Sequence, residues 1–323
     1  MTRVVRGIWI AAVLLGMVSF ETYGQAFPTK PIRVIVPYPP GGIDVVVRLI
    51  TPNVSKVLGQ PVVIENRAGA NGMIGSEYVA RQAPDGYALL LGSSSTHITP
   101  LFTAKNLSYD PIKDFTPISQ AAVATLYLIV GPGVTANTVK ELIDYAKRNP
   151  RALSYASTGV GSIYQLMGEQ INQLAGVTML HVPYKGSGPA LQDLLAGQVS
   201  MYFTGEGTFR AYVPTGKLKA LAVLDTSRSN RRPDIPAMTE TLPGYKKVAG
   251  WMAFFGPAGM PQPIVKQLST EIMSTVQMPD VRSKLEEAGF AVIGNSPEQM
   301  AAAMKSDIET FGQIARAAKI EPE

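Results

Sequence analysis

Short β-rich runs alternate with helical segments from residue 27 to the end of the chain, and this alternation is the strongest constraint on the fold. Several runs are continuous apolar stretches, which are typical of strands buried on both faces. Apolar residues at helical spacing follow Asp44 and Ser162. The pattern predicts an α/β fold with mostly parallel sheets flanked by helices. The predicted strands are 32–36, 62–65, 88–91, 126–130, 153–156, 178–182, 199–203, 218–224 and 248–255.

The chain length of 323 residues exceeds what one compact core usually holds, so two lobes are expected. No long linker rich in Pro, Gly or Ser separates the two halves, which favours lobes hinged by crossing strands. The candidate crossings lie within 125–131 and 248–256. We therefore predict one lobe formed by 27–127 and 252–323, and a second lobe formed by 128–251.

The first 26 residues have the three-part pattern of a secretory signal peptide. Arg3 and Arg6 make a positive start, residues 7–20 form an uncharged apolar run, and small or polar residues lead up to Ala26. The apolar run is shorter than the roughly 20 residues that a membrane-spanning helix needs. This favours a cleaved signal over a membrane anchor, so we expect export and cleavage near Ala26.

The composition excludes several kinds of chemistry. The chain has no cysteine, which excludes disulfides, thiolate zinc sites and cysteine nucleophiles. Its two histidines, His97 and His181, have no partner at metal-binding or triad spacing, so both are predicted to be structural. The net charge is +5, but the adjacent pair Arg231 and Arg232 is too short a basic cluster for binding nucleic acid. We expect no catalytic residue, metal, cofactor or nucleic-acid partner.

Six glycine-rich loops follow predicted strands and lead into predicted helices. The first backbone N–H groups of a helix lack partners, glycine allows close approach of a ligand, and the helix dipole favours negative charge. In open α/β sheets such loops gather at the carboxyl ends of the strands. One loop alone is as often plain turn chemistry, but six together predict a cleft that binds a small anion. The loops are 38–42, 66–72, 92–96, 157–162, 184–188 and 204–208.

Several side chains near these loops have two interpretations. Asp44 is predicted to cap a helix, and Arg67 to brace loops through its guanidinium. Glu206 is predicted to point toward the cleft, where it either receives a ligand hydroxyl or ammonium group or is solvated. Tyr184 and Phe209 either form an apolar wall of the cleft or pack in the core.

Short segments spread over almost the whole chain after residue 26 resemble the substrate-binding proteins of tripartite tricarboxylate transporters, the Bug family. Each segment is weakly specific alone, and together they are highly specific. The matching segments are FPTKPIR at 27–33, VPYPPGG at 36–42, ENRAGANG at 65–72, APDGY at 83–87, YDP at 109–111, KDF at 113–115, YAS at 155–157 and HVPYKG at 181–186.

The resemblance implies a two-lobed periplasmic-binding-protein fold, the Venus flytrap, with the ligand between the lobes. It implies that the first two loops hold one ligand carboxylate, mainly through backbone N–H groups and water, while second-lobe loops read the far end. The candidate ligand-binding residues are Tyr38, Gly41, Gly42, Ala70 and Asn71 on the carboxylate side, Ser93 and Ser94 on the floor, and Ser157, Thr158, Gly161, Ser162, Tyr184 and Thr204 opposite.

This chain departs from the family pattern at three positions. Only Ile43 separates the glycine pair from Asp44, where the family often has two residues. Gln165 stands where many members carry His, and Thr204 stands where many carry Asp. Loss of an acidic group disfavours an amino-acid ligand, because a buried ammonium needs a carboxylate partner. We therefore expect a dicarboxylate or an aromatic carboxylate without an amine.

The favoured function is capture of a small organic carboxylate, di- or tricarboxylate or aromatic, for delivery to a tripartite tricarboxylate-type transporter. The resemblance implies a periplasmic protein, and we expect a monomer whose partners are the ligand and the membrane subunits. One alternative is a periplasmic sensor that presents the solute to a signalling partner. A serine hydrolase using 93–95 is disfavoured, because the chain lacks a G-x-S-x-G elbow and an assignable His–acid pair.

Overall fold

Two β-sheets flanked by helices make up the computed structural model, which describes residues 27–320 and 322. The predicted signal peptide at 1–26 lies outside the described residues. The first sheet has six strands in the spatial order β11 (Phe290–Val292), β4 (Phe115–Ala124), β10 (Gly250–Pro257), β3 (Ala88–Ser93), β1 (Ile32–Val36) and β2 (Val62–Asn66). The second has five in the order β7 (Leu180–Pro183), β6 (Ser154–Ser157), β8 (Met201–Gly205), β5 (Leu126–Val130) and β9 (Lys219–Val223).

Both sheets are mixed, which corrects the expectation of mostly parallel sheets. In the first sheet β1 pairs in parallel with β2 and β3, whereas β10 runs antiparallel to β3 and β4. In the second sheet β6 pairs in parallel with β7 and β8, whereas β5 runs antiparallel to β8 and β9. The antiparallel strands β4, β5 and β10 lie next to the points where the chain passes between the sheets, so a direct crossing replaces the usual βαβ connection there.

The helices follow the predicted alternation. They are α1 (Asp44–Leu58), α2 (Met73–Ala80), α3 (Ser94–His97), α4 (Pro100–Thr103), α5 (Val139–Arg148), α6 (Ile163–Ala175), α7 (Ser187–Leu195), α8 (Glu206–Phe209), α9 (Gln262–Gln277), α10 (Pro279–Glu287) and α11 (Pro297–Ala317). Helix α1 continues through Pro52. Among the described residues, no helix is both long and apolar enough to cross a membrane.

Strand β4 has no counterpart among the predicted strands. Thr116, Ser119 and Gln120 interrupt its apolar pattern, and Pro117 lacks the N–H that a ladder needs. The register between β4 and β10 shifts between Phe254 and Phe255, where Phe255 lies opposite Pro117, so the proline sits beside an irregularity in the ladder. The strand is buried by its neighbours β10 and β11 and not by its own sequence pattern.

The chain passes from the first sheet to the second at Thr125, between β4 and β5, and returns before β10. Helix α11 then packs against both β4 and α6, so the C-terminal helix contacts elements of both sheets. These connections place the carboxyl ends of β1, β2 and β3 opposite the loops that follow β6 and β7. The exact lobe boundaries at 127/128 and 251/252 stay a prediction.

Candidate functional site

Two adjoining cavities lie between the loops of the two sheets. The first has a volume of about 390 Å³ and the second about 750 Å³, within the range of small-molecule sites. Their linings share Tyr38, Pro39, Ser95, Thr158, Lys185 and Gly186, so these residues mark the junction between two chambers of one cleft.

Four helices of eight or more residues begin at this cleft, two after strands of each sheet. The loop before α1 and the first turn of α6 line the first cavity, and the loop before α2 lines the second. Lys185 and Gly186, which precede α7, line both. Helix N-termini favour negative charge, so the arrangement is suited to an anion.

The chain's own carboxylate occupies the start of α1. Asp44 was predicted to be the N-cap of α1, but it is the first helical residue, and Ile43 occupies the N-cap position. Its carboxylate accepts hydrogen bonds from Arg48 Nε at 2.6 Å, Asn66 Nδ2 at 2.9 Å and the Gly41 N–H at 3.4 Å. Burial raises the pKa of Asp44, but these hydrogen bonds outweigh it and the pKa is lowered. The protein itself therefore supplies a negative charge at the start of α1, so this is the least available of the four helix N-termini for a ligand anion.

The loop before α2 is strained. Ala70 and Asn71 have φ values of 45° and 50°, which non-glycine residues rarely adopt and which cost about 1–3 kcal/mol each. Asn71 lines the second cavity, and its buried Oδ1 has no hydrogen-bond partner among the described residues. A strained backbone with an unsatisfied amide in a cavity is the pattern expected of a ligand-binding loop.

The start of α7 combines a cation with uncapped backbone N–H groups. Among the described residues that line the two cavities, Lys185 is the only one with a charged side chain. Gly186 precedes the helix with φ 115°, and no side chain of the described part caps it. Lys185 lies in one of the predicted binding loops but was not among the predicted site residues, although it directly follows Tyr184.

Loops of the two sheets touch each other across the cleft. A Cβ atom built on Gly161 would lie 2.7 Å from Thr103 Oγ1, and one built on Gly42 would lie 3.7 Å from Ser187 Oγ. The Ile163 N–H, at the start of α6, donates to Ser95 Oγ at 3.3 Å. Glycine at these contacts allows the facing loops to come together.

The serines after β3 hold protein elements together. Tyr38 Oη and Ser93 Oγ are 2.8 Å apart. Ser94 Oγ donates to the Ala249 carbonyl and accepts from the Trp251 N–H at 3.2 Å, so it joins the start of α3 to the start of β10. These hydroxyl groups are engaged within the protein, while both serines line the first cavity, so their contact with a ligand at the floor of the cleft stays a prediction.

The cleft brings together most of the predicted site residues. Tyr38, Gly41, Gly42, Ser93 and Ser94 line the first cavity, Tyr38, Ala70, Asn71, Gly161 and Tyr184 line the second, and Thr158 lines both. Ser157, Ser162 and Thr204 are buried and line neither cavity. Ser157 Oγ is 2.7 Å from His181 Nε2, Ser162 Oγ accepts from the Gln165 N–H at 3.4 Å, and Thr204 Oγ1 donates to Thr208 Oγ1 at 3.0 Å. These hydrogen bonds support the second-lobe loops.

The prediction that Glu206 points toward the cleft is wrong. Its carboxylate is buried and pairs with Arg231 Nε at 3.4 Å and Arg232 Nη1 at 3.9 Å. Arg67 braces its loop as predicted, with Nε 2.6 Å from Glu65 Oε1 and the guanidinium over the Tyr78 ring. Phe209 packs in the core beside Tyr127, whereas Tyr184 lines the second cavity.

Both histidines are structural. Burial lowers the pKa of His97 to about 3, and its ring stacks on Phe255 at 4.0 Å between centroids. Burial lowers the pKa of His181 to about 4, and its ring stacks on Tyr155 at 5.2 Å. In the part of the chain that the structure describes, no cluster of His, Asp or Glu has the geometry of a metal site.

Trp251, Tyr164 and Leu191 line the first cavity but were not predicted. Trp251 is the second residue of β10, Tyr164 lies in the first turn of α6 and Leu191 lies in the middle of α7, so none of them belongs to the six glycine-rich loops. Trp251 is held in place because its Nε1 donates to Asp307 Oδ2 of α11 at 2.8 Å. The C-terminal helix therefore fixes one wall of the cleft.

Asp307→Asn is expected to stabilise the protein at neutral pH. Burial raises the pKa of Asp307 from 3.8 to about 6, against the lowering effects of Trp251 and Lys247. Because the folded state binds this proton more tightly than the unfolded state, stability is lost as pH rises from about 4 to 6. Asparagine still accepts from Trp251, so the free energy of unfolding should rise by about 2 kcal/mol at pH 7 and not at pH 4. Denaturant unfolding at both pH values measures this, and an equal effect at both would contradict it.

Comparison with known structures defines the class. The chain superimposes on the periplasmic binding protein BugD with a TM-score of 0.84 and 33% identity, covering 92% of this chain and 100% of BugD. An R. palustris protein with adipate gives a TM-score of 0.88 and 33% identity, again over 92% and 100% of the two chains. The two-lobed α/β fold with a cleft between facing loops is that of a periplasmic solute-binding protein.

The family follows from sequence comparison. Residues 46–320 match the family model described as the tripartite tricarboxylate transporter family receptor, TctC. Protein BugT of Bordetella pertussis is 34% identical over 323 residues, which cover 98% of this chain and 97% of BugT. The chain belongs to the tripartite tricarboxylate transporter receptor family, a family of substrate-binding receptors, and is a binding protein and not an enzyme. This confirms the family and the fold class predicted from the sequence.

Proposed function

We propose that the cleft binds a small organic carboxylate without an amine and delivers it to the membrane subunits of a tripartite tricarboxylate-type transporter. One observation carries this proposal. Lys185 is the one charged side chain among the described cavity-lining residues, and it stands directly before the uncapped start of α7. A lysine and backbone N–H groups at a helix start together form a site for a single carboxylate.

The predicted site residues divide into contacts and supports under this proposal. Gly42, Ala70, Asn71, Thr158 and Gly161 meet the ligand from the two lobes, and the strained second loop supplies the Asn71 amide. Gly41 contributes less, because its N–H faces Asp44. Ser157, Ser162 and Thr204 act indirectly by holding the loops that carry Thr158 and Gly161.

The cleft's charge disfavours amino acids. An ammonium group taken out of water needs a carboxylate partner. None of the described residues that line the cavities is acidic, and Glu206 is already paired with Arg231 and Arg232. The R. palustris neighbour with adipate, a carboxylate without an amine, supports the same ligand class.

The family supports a periplasmic setting for this chain. Receptors of this family serve transport, which supports export of this chain through a signal peptide at 1–26 that is removed near Ala26. We further propose that it acts as a monomer with lobes 27–127 plus 252–323 and 128–251, which close on the ligand.

A thermal-shift screen tests the ligand class. A ligand that binds only the folded, closed protein stabilises it by mass action, by about 2.7 kcal/mol at a concentration one hundred times its Kd. We expect carboxylates without an amine to raise the melting temperature, and aspartate and glutamate to leave it unchanged. Calorimetry on the positive compounds gives the affinities. Tight binding of aspartate or glutamate, with none to amine-free carboxylates, would overturn the proposal.

A further inference from the structure

We propose that Ser95 is a positioning residue that holds the two lobes closed, because its hydroxyl group accepts a hydrogen bond from the start of α6 in the facing lobe. Ser95 lies in α3, directly after β3 of the first sheet, and α6 follows β6 of the second sheet. This inference goes beyond the proposed function, since it concerns the equilibrium between open and closed lobes and not the class of ligand.

The backbone N–H of Ile163 is the group that Ser95 binds. Ile163 is the first residue of α6, so its N–H has no acceptor within the helix. It donates to Ser95 Oγ at 3.3 Å. Two other N–H groups at this helix start are bonded within the second lobe, since that of Gln165 donates to Ser162 Oγ at 3.4 Å and that of Gly161 donates to Gln165 Oε1 at 2.7 Å. The Ile163 N–H depends on the first lobe instead.

The contact between Ser95 and Ile163 is shielded from solvent. Ser95 is 6% exposed and Ile163 is 5% exposed. Beside them, a Cβ atom built on Gly161 would lie 2.7 Å from Thr103 Oγ1, so the loop before α6 packs tightly on α4. In the open form water reaches the Ile163 N–H, whereas in the closed form the Ser95 hydroxyl replaces that water. Loss of this hydroxyl therefore penalises the closed form and leaves the open form unchanged.

Glycines bring the loops of the two lobes together near this hydrogen bond. A Cβ atom built on Gly159 would lie 3.6 Å from Asn71 Cβ, and one built on Gly186 would lie 3.7 Å from Pro39 Cγ. Both glycines have left-handed φ values, 141° and 115°, which residues with a side chain rarely adopt. These contacts join protein atoms of the two lobes directly, so they favour the closed form without a contribution from a ligand.

The first lobe itself holds Ser95 in position. The Ser93 N–H donates to Thr96 Oγ1 at 2.9 Å, and Thr99 Oγ1 donates to the Ser95 carbonyl at 3.2 Å. These bonds fix the turn that carries Ser95, so little side-chain freedom is lost when its hydroxyl meets α6. Because a ligand enters and leaves through the open form, the contact slows both entry and release.

The distance between two spin labels tests this inference on the ligand-free protein. The chain has no cysteine, so Lys56→Cys and Gln192→Cys place the labels at two exposed positions, one on α1 and one on α7. Pulsed electron paramagnetic resonance should show a short distance for the closed form and a longer one for the open form. Ser95→Ala should lower the ratio of closed to open protein by about fivefold, because the closed form then buries an N–H group without an acceptor.

Thr138→Ala is the matched control. Thr138 Oγ1 also caps a helix, but it does so within the second lobe, where it accepts from the Glu141 N–H at 3.1 Å. Thr138 is exposed and lines neither cavity, so its loss should leave the ratio unchanged even though the loss of a cap lowers stability. The melting temperature of each variant separates a loss of stability from a change in closure.

Three results would overturn the inference: Ser95→Ala leaves the distances unchanged, both alanine variants shift them alike, or the parent protein shows only the longer distance. No carboxylate takes part in this measurement. A failure of the proposed ligand class would therefore show in the thermal-shift screen and not in the distances between the labels.

Discussion

Lys185→Met is expected to weaken carboxylate binding by about 10- to 100-fold, because a hydrogen bond to a charged group contributes about 1.5–3 kcal/mol. Methionine keeps the length of the side chain and removes its charge. Lys185 is exposed and lines both cavities, so the substitution removes the one charged side chain of the described cavity lining. The start of α7 still supplies backbone N–H groups, which is why residual binding is expected. Calorimetry measures the affinity directly.

Lys217→Met is the control for this change. Lys217 is exposed, lies shortly before β9 of the second sheet and lines neither cavity. Its replacement by methionine therefore lowers the net charge by the same amount without changing the cavity lining. The melting temperature of the unliganded protein should be unchanged in both variants, since exposed lysines contribute little to stability. Equal affinities in the two variants would show that the carboxylate is anchored elsewhere.

Gly168→Ala is expected to lower the free energy of unfolding by about 2–3 kcal/mol, a large effect for one added methyl group. A Cβ atom built on Gly168 would lie 2.3 Å from the ring of Tyr155, which is fully buried. The higher helix propensity of alanine compared with glycine offsets at most about 1 kcal/mol of this loss. Because Tyr155 lies in β6, shortly before Thr158, displacement of its ring should also weaken ligand binding. Denaturant unfolding and calorimetry on the same sample measure both effects.

Gly133→Ala provides the comparison for this variant. A Cβ atom at Gly133 would have no neighbour within 4 Å, and this glycine is in an exposed turn with no left-handed φ. Its replacement should be neutral or slightly stabilising, because alanine restricts the unfolded chain more than glycine does. If both glycine variants unfold at the same denaturant concentration, the close packing of α6 on β6 is not a significant contribution to stability.

Features of the fold that depend on residues close together in the chain were predicted correctly, whereas features that depend on residues far apart in the chain were not. Each predicted strand overlaps an observed one, because runs such as 126–130 are buried on both faces and contain the apolar pattern that burial requires. Strand β4 was missed because its burial comes from neighbours far away in the chain. Sheet direction was predicted incorrectly for the same reason, since antiparallel pairing of β10 with β3 joins residues that are more than 150 positions apart.

The candidate site shows the same division. Glycines such as Gly42, Gly69 and Gly161 identify binding loops because a left-handed backbone is a local requirement that is visible in the residue type. The direction of a side chain is not local in this way. Glu206 turns to Arg231 and Arg232, and Ser157 turns to His181, whereas both had been assigned to the cleft.

Alternating periodicity, glycine at the helix starts and the family motifs were enough to determine an α/β binding protein with loops suited to an anion, because each of these signals arises within a few residues of its neighbours. Only the tertiary structure decided that Trp251 and Leu191 line the same cavity, that Lys185 lies where the linings of the two cavities meet, and that the Ser94 hydroxyl donates to the Ala249 carbonyl. Such contacts depend on the order and direction of strands in two sheets, which no short stretch of the chain encodes.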